Sequence, residues 1–230
     1  MPDNTHQLIL KTIQEKALLK AEVCERTSTA FEQLRKILAQ MVTELKSTVG
    51  KVNSKEILIS LVNKSEFESE FNLIDDTIVF LLHTNVFTFE SNHEIWKGSH
   101  VKQDPSLSFC GKISVYNFLS DSFKYNRTND VGYLIARIFI NKENHFFVEG
   151  KRQLGFLYND FANSIFDADS MRKVVESVIL YSLDFEAFIP PYNQVAELSV
   201  LDIINSTMES KIATGKRLGF RFQAESGEKF

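Results

Sequence analysis

Two segments of the chain repeat a short basic phrase. The letters "EGKRQLGFLY" cover residues 149–158, and "TGKRLGFRF" covers residues 214–222. Guanidinium groups bind phosphate or carboxylate oxygens in a bidentate geometry, and a glycine inside a strand lets a ligand approach the backbone. The repeat therefore predicts an anion site for a phosphate-containing small molecule or a nucleic acid. Its candidate ligand-binding residues are Lys151, Arg152, Gly155, Arg217, Gly219 and Arg221.

The same repeat also has a plainer structural interpretation. With the two-residue period of a strand, each copy directs a Leu-x-Phe-x-aromatic series to one face. Two strands that pack on one core in the same way would show this pattern without any ligand. The inward residues would then be Leu154, Phe156, Tyr158, Leu218, Phe220 and Phe222.

A second group of reactive side chains lies within residues 93–110 and contains His93, His100, Asp104 and Cys110. Zinc sites usually contain pairs of ligands about two to four residues apart, and these four residues form no such pair. We therefore predict no metal site and no cofactor. The sequence also lacks a Gly-rich phosphate loop, a Gly-x-Ser-x-Gly elbow and a His-Glu-x-x-His helix. An enzyme is accordingly the third hypothesis for function.

Composition limits the class of protein. The chain has 230 residues with 43% hydrophobic and 24% charged residues, which is ordinary for a globular protein. Its net charge of -4 argues against a surface built to hold nucleic acid. Two cysteines without metal or redox spacing are typical of free thiols in a reducing compartment. With no apolar leader and no apolar run long enough to span a bilayer, we expect a cytoplasmic protein without a membrane partner.

The elements that must position these residues begin with a helix. Residues 5–49 contain neither Gly nor Pro, and Gly50 follows where helices commonly end. Steps of three and four residues give an apolar seam that is clean from Phe31 onward and interrupted at Lys20 and Thr27. The seam consists of Leu10, Ile13, Ala17, Lys20, Cys24, Thr27, Phe31, Leu34, Leu38, Met41 and Leu45.

A single helix over this range would be roughly 65 Å long, which exceeds the diameter of a domain formed by the remaining residues. Either the helix breaks near "CERTSTAF" and folds back as a hairpin, or it continues and finds a partner. The sequence leaves both choices open. If the helix is unbroken, we expect a homodimer formed through Phe31, Leu34, Leu38, Met41 and Leu45.

After residue 50 the pattern changes to short runs of Ile, Val, Phe and Tyr, which are typical of antiparallel strands. The clearest hairpin turns at residues 142–144, and a further helix is predicted over residues 169–188, capped by Asp167 or Asp169. Most of the 20 Phe residues fall in these runs, which predicts an aromatic sheet core or an aromatic-lined pocket. Residues 90–108 form the longest irregular stretch, where we expect Trp96 to be partly exposed.

These patterns predict an α+β fold: a long amino-terminal helix or helical hairpin, then a mainly antiparallel, Phe-rich sheet with one or two further helices. The predicted division is a helical oligomerisation segment at 1–50, a globular domain at 51–223 and a flexible tail at 224–230. We expect a non-enzymatic interaction or regulatory module that self-associates through its helix. A binding protein for an anionic ligand, which would use the basic phrase and the 90–108 stretch, is the alternative.

Overall fold

The computed structural model describes residues 2–49, 51–52, 55–128, 130–184, 192, 196–197 and 199–201. The second copy of the basic phrase, with Arg217, Gly219 and Arg221, lies outside these residues, as do Gly50 and the predicted tail. The helices are α1 (Pro2–Val49), α2 (Ser99–Gln103), α3 (Ser120–Lys124) and α4 (Ala168–Leu183). Single turns of 3-10 helix lie at Glu94–Lys97, Pro105–Ser108 and Arg152–Gly155. The strands are β1 (Lys51–Val52), β2 (Lys55–Glu56), β3 (Ile59–Ser65), β4 (Glu68–Leu73), β5 (Asp76–Phe87), β6 (Cys110–Leu119), β7 (Tyr133–Asn141) and β8 (Phe146–Gly150).

The predicted α+β fold is confirmed. Strands β3 to β8 form one six-stranded antiparallel sheet in sequence order, and β1 pairs with β2 as a separate ribbon. The hairpin between β7 and β8 turns as predicted, with Asn144 at a φ of 66°, a conformation that Asn adopts more readily than most residues. Strand β4 was missed by the sequence analysis because it contains Glu68, Ser69 and Glu70 rather than a β-branched or aromatic run.

Helix α1 is one unbroken helix of 48 residues, so the hairpin alternative is wrong. Thr27, which predicted a break, is buried, and its hydroxyl donates a hydrogen bond to the Val23 carbonyl at 2.7 Å. A Cβ atom added to Gly111 on β6 would lie 2.0 Å from the Thr27 Oγ1 atom. The helix therefore packs closely on β6 where Thr27 meets Gly111, and that packing outweighs the poor helix propensity of threonine.

The main core lies between one face of the sheet and two helices. The second half of α1 and the buried face of α4 pack on this sheet face. Asp167 caps α4 by accepting a hydrogen bond from the Ser170 amide at 2.9 Å, which confirms one of the two predicted caps. Phe31, Leu34 and Leu38 are fully buried in this core, Met41 is almost fully buried, and Leu45 packs against it. These five side chains therefore pack in or against the chain's own core, and pairing of a second copy through them stays a prediction.

A smaller apolar cluster lies on the opposite sheet face, near the β8 edge. Along β7 and β8, Phe139 and Phe147 point away from the main core, as strand alternation requires. The short helical turns of residues 94–108 cover them, so this stretch is more regular than predicted. Trp96 is half-buried as expected, and its Nε1 atom donates a hydrogen bond to the Glu90 carbonyl at 2.9 Å. The predicted aromatic clustering in the sheet region is confirmed.

The first copy of the basic phrase is not a strand beyond Gly150. Residues Arg152–Gly155 form a 3-10 turn that Arg152 enters with a φ of 48°. Leu154 is buried, whereas Phe156 is exposed, so the predicted inward series is wrong for this copy. After this turn the chain reverses direction, and residues 158–164 run back along β8.

Candidate functional site

A cleft of about 600 Å³ opens beside β8, on the sheet face opposite the main core. Residues 93–100 form one wall, and residues 159–162 form the other. The second wall is held against the sheet edge because the Val148 amide donates to the Tyr158 carbonyl at 3.0 Å and the Phe146 amide donates to the Ser164 carbonyl at 3.1 Å. The cleft is therefore assembled from three segments that are separate in the sequence.

The floor of the cleft is apolar. Phe147 lies on β8, and its ring meets the Phe161 ring edge-on with centroids 5.2 Å apart. Ile95 extends the floor from the first turn of 3-10 helix. All three side chains are buried, so the apolar surface that the cleft presents is backed by packed side chains. A ligand with an apolar body would find a preformed surface here.

One end of the cleft carries a chain of three polar side chains. The His93 Nδ1 atom accepts a hydrogen bond from the Ile95 amide at 3.2 Å, so the proton of a neutral His93 ring is on Nε2. That Nε2 atom faces the Glu149 Oε1 atom at 3.4 Å, and the Arg137 guanidinium pairs with the other carboxylate oxygen. The Glu149 carboxylate is thus fixed in position from both sides.

His100 also lines the cleft. Its ring stacks on His145 with centroids 6.2 Å apart and meets Phe161 edge-on at 5.0 Å. Both ring nitrogens are buried and have no hydrogen-bond partner among the described residues. Burial lowers the pKa of His100, and the nearby His145 lowers it further, while Glu143 and Asp160 act in the opposite direction. His100 is therefore a neutral ring at physiological pH, with one donor and one acceptor that are not satisfied by the protein.

The charged groups of the cleft are mainly acidic. Glu94, Glu149 and Asp160 contribute three carboxylates, and neither Lys nor Arg is among the described lining residues. Glu94 pairs with Lys97 outside the cleft, and the Asp160 carboxylate accepts hydrogen bonds from the Asn163 amide group at 3.1 Å. The described lining contains carboxylate and imidazole groups but no Ser, Thr, Cys, Lys or Tyr side chain.

The predicted anion-site residues of the first copy separate in the structure. Gly155 lines the cleft, and a Cβ atom added to it would lie 2.5 Å from the Gly150 carbonyl oxygen. The close approach that this glycine permits is therefore to backbone. Lys151 and Arg152 line a different, smaller cavity of about 250 Å³ against α4, where Arg152 pairs with Asp184. The anion site stays a prediction, because its other three residues lie outside the described part of the chain.

The group of His93, His100, Asp104 and Cys110 also separates. His93 and His100 lie in the cleft, whereas the Asp104 carboxylate accepts hydrogen bonds from Lys142 at 3.0 Å and from Ser106 at 2.6 Å. Cys110 is buried in the small apolar cluster, and this burial raises the pKa of its thiol well above the usual value. Within the described ranges, no group of three or more His, Cys, Asp or Glu residues could hold a metal ion.

A second candidate surface is the first half of α1, which projects beyond the sheet. We call residues 4–22 the projecting segment. All of its side chains are exposed except Thr12 and Leu19, which are half-buried. The Thr12 hydroxyl donates a hydrogen bond to the Leu8 carbonyl, and Lys11 pairs with Glu15, so both contacts are made within the helix. Large aliphatic side chains are exposed along it: Leu8, Ile9, Leu10, Ile13 and Leu18.

Known proteins offer no template for either surface. Comparisons of this chain with protein-family models, with curated proteins and with solved structures find no match.

Sequence reasoning missed Arg137, His145, Glu149 and Asp160 as neighbours of His93 and His100. Their proximity depends on how residues 93–108 and 158–164 pack against β7 and β8, for which the sequence contains no local signal. No helix among the described residues has both the length and the apolar character needed to cross a membrane.

Proposed function

We propose that this protein is a non-enzymatic interaction module that self-associates through the projecting segment. The observation that carries this proposal is the exposure of Leu10 at 48%, Ile13 at 59% and Leu18 at 64% on a helix that extends beyond its own domain. Most of the stability of a helix in a protein comes from the packing of its apolar face rather than from its intrinsic propensity. A contiguous apolar surface on a soluble domain usually marks an interaction site. A cytoplasmic location is proposed with it, on the sequence grounds of two cysteines without disulfide or metal spacing.

A partner would stabilise the segment by covering its aliphatic side chains. Burying one Leu or Ile side chain contributes about 1.5 to 3 kcal/mol. Ile9, Leu10, Ile13 and Ala17 follow the spacing of a single helical stripe, which is the geometry of helix pairing. Two copies of this stripe would bury these side chains against each other, and that burial would offset the entropic cost of association.

A second copy of the chain fits this stripe in its charge as well as its shape. The projecting segment carries Lys11, Lys16 and Lys20 together with Glu15 and Glu22, so positive and negative charges nearly balance. Two identical segments would therefore not repel each other strongly. Two-fold pairing of one surface with itself is also the commonest form of oligomer.

The test is the mass of the protein in solution. Sedimentation velocity should give twice the mass of one chain for the unmodified protein. The double variant Leu10→Glu with Ile13→Glu should give the mass of one chain, because carboxylates in the stripe would be buried without partners. Glutamate is a good helix former, so the helix itself should persist.

The matched control is Leu180→Glu, which places the same substitution at a side chain 62% exposed on α4. This variant should keep the doubled mass. A single-chain mass for the unmodified protein would refute self-association, as would a doubled mass for the Leu10 and Ile13 variant.

A further inference from the structure

The cleft beside β8 differs in chemistry from the projecting segment and calls for a different ligand. Its volume of about 600 Å³ is within the range of small-molecule sites. Its apolar floor, formed by Ile95, Phe147 and Phe161, is preformed and buried at its base. A small molecule that binds here must have an apolar or aromatic part to cover this floor.

The charges that line the cleft determine the sign of the charge that a ligand can carry. Asp160 is exposed, and Asn163 is its hydrogen-bond partner at 3.1 Å, so its negative charge is not neutralised by that contact. Glu149 on β8 adds a second carboxylate, although Arg137 offsets much of its charge. An anionic ligand would meet carboxylates and no lining cation, whereas a cation would be attracted.

His100 supplies the remaining recognition group. A neutral imidazole has one nitrogen that accepts a hydrogen bond, and neither nitrogen of His100 has a partner among the described residues. A buried polar atom without a partner is costly, so a ligand donor would gain affinity if the His100 ring turns its acceptor toward the cleft. A protonated amine carries only donors and matches this ring as well as the carboxylates.

We propose that the cleft binds a small organic cation: a protonated primary amine carried on an apolar or aromatic body. The amine would lie near Asp160 and His100, and the body would cover Phe147 and Phe161. The proposal concerns a site on the sheet face and is independent of self-association through the projecting segment.

The experiment compares three probes of one shape. We would titrate the full chain with 4-phenylbutan-1-amine, 4-phenylbutan-1-ol and 4-phenylbutanoate, and follow the amide resonances of residues 93–100 and 159–162 by NMR. The amine should bind at least about tenfold more tightly than the alcohol, a factor that corresponds to about 1.4 kcal/mol. The carboxylate should bind most weakly. Equal affinity for the amine and the alcohol would overturn the proposal, as would a lack of binding by the amine.

Variants then locate the site. Asp160→Lys should weaken amine binding by about tenfold or more, and Asp160→Asn should weaken it less, because it removes the charge without reversing it. Both changes are at an exposed residue, so the melting temperature should stay near that of the unmodified protein. Asp121→Lys on α3, also exposed and outside the cleft lining, should leave amine affinity unchanged. Equal losses from Asp121→Lys and Asp160→Lys would overturn the assignment, because they would reflect only the net charge.

Discussion

The two halves of α1 form one continuous helix but have opposite environments. From Val23 to Met41 the helix buries a broad apolar face on the sheet and on α4, whereas the projecting segment is exposed almost throughout. About eighteen residues make five turns of helix, so residues eighteen apart lie on the same face. Leu34 and Leu38 in the packed half correspond in this way to Lys16 and Lys20. A face that carries two lysines cannot be buried on an apolar sheet, so the packed half and the projecting segment differ because of these side chains.

The comparison shows that helix formation and helix burial are decided separately. Both halves have the composition of a strong helix, and both have an apolar stripe. Only the packed half has small residues where it approaches the sheet, with Thr27 against Gly111 and Ala30 also buried. The stripe of the projecting segment includes Leu10 and Ile13, is narrower, and is left for a partner under our proposal.

The largest expected effect comes from placing the same charged residue in the packed half. Leu34→Glu with Leu38→Glu should lower the free energy of unfolding by about 4 kcal/mol or more, because both side chains are fully buried. The double variant Leu10→Glu with Ile13→Glu should leave the unfolding of the sheet domain nearly unchanged. Urea unfolding followed by far-UV circular dichroism measures both. A folded variant of Leu34 and Leu38 with a single-chain mass would instead mean that the packed half is the interface between copies.

How far the sequence predicts this fold depends on whether a feature is local. The long helix, the antiparallel strands and the cap at Asp167 follow from local residue patterns, and the structure confirms them. Periodicity alone cannot distinguish a helix face that packs on its own sheet from one that packs on a second copy, and the residues predicted to form the interface are buried in the chain's own core. Thr27 predicted a break because its contact with Gly111 is far away in the sequence.

The residues of the candidate site depend even more on contacts between segments that are distant in the sequence. Gly155 was selected for a close approach, and the structure places the Gly150 carbonyl there. The strand prediction for that phrase failed at Arg152, whose positive φ begins the turn away from the sheet. The cleft combines residues of three separate segments, and only their packing brings His100 near Asp160. Such a site can be found in the structure, but its residues follow no characteristic spacing in the sequence.

An intermediate effect is expected at the crossing of α1 and β6. Gly111→Ala would place a Cβ atom 2.7 Å from the Thr27 Cβ and Cγ2 atoms and closer still to Oγ1, so the helix must shift. Overpacking of this kind costs about 1 to 3 kcal/mol. Thermal unfolding of the variant measures the loss. Adding Thr27→Ala should recover part of it, because that change removes two of the three clashing atoms.

The control for this substitution is Gly98→Ala. Gly98 has a φ of -62°, which suits any residue, and its added Cβ atom would lie 3.1 Å from the His100 ring, a milder contact than the one at Gly111. This variant should change stability far less than Gly111→Ala. Equal losses from the two substitutions would show that the close crossing of α1 over β6 is not a determinant of stability.

The smallest expected effect on stability comes from surface ion pairs, which differ between the two halves of α1. Glu44, near the end of the packed half, accepts a hydrogen bond from Arg172 on α4 at 3.0 Å, whereas Glu15 in the projecting segment pairs with Lys11 of its own helix. The hydrogen bond from Arg172 holds the pKa of Glu44 below its usual value. Because the folded state lowers this pKa, the contribution to stability is present above the pKa of the unfolded chain. It is lost as the pH falls through the pKa of the folded state.

Glu44→Gln should therefore be slightly less stable than the unmodified protein at neutral pH, and the two urea midpoints should converge on acidification. Both partners are at the surface, so added salt should also reduce the difference. Glu15→Gln should leave the midpoint of the sheet domain unchanged at either pH, because its pair does not connect the helix to the rest of the chain. A loss from Glu44→Gln that persists in acid would mean that Glu44 acts through packing of its side chain rather than through its charge.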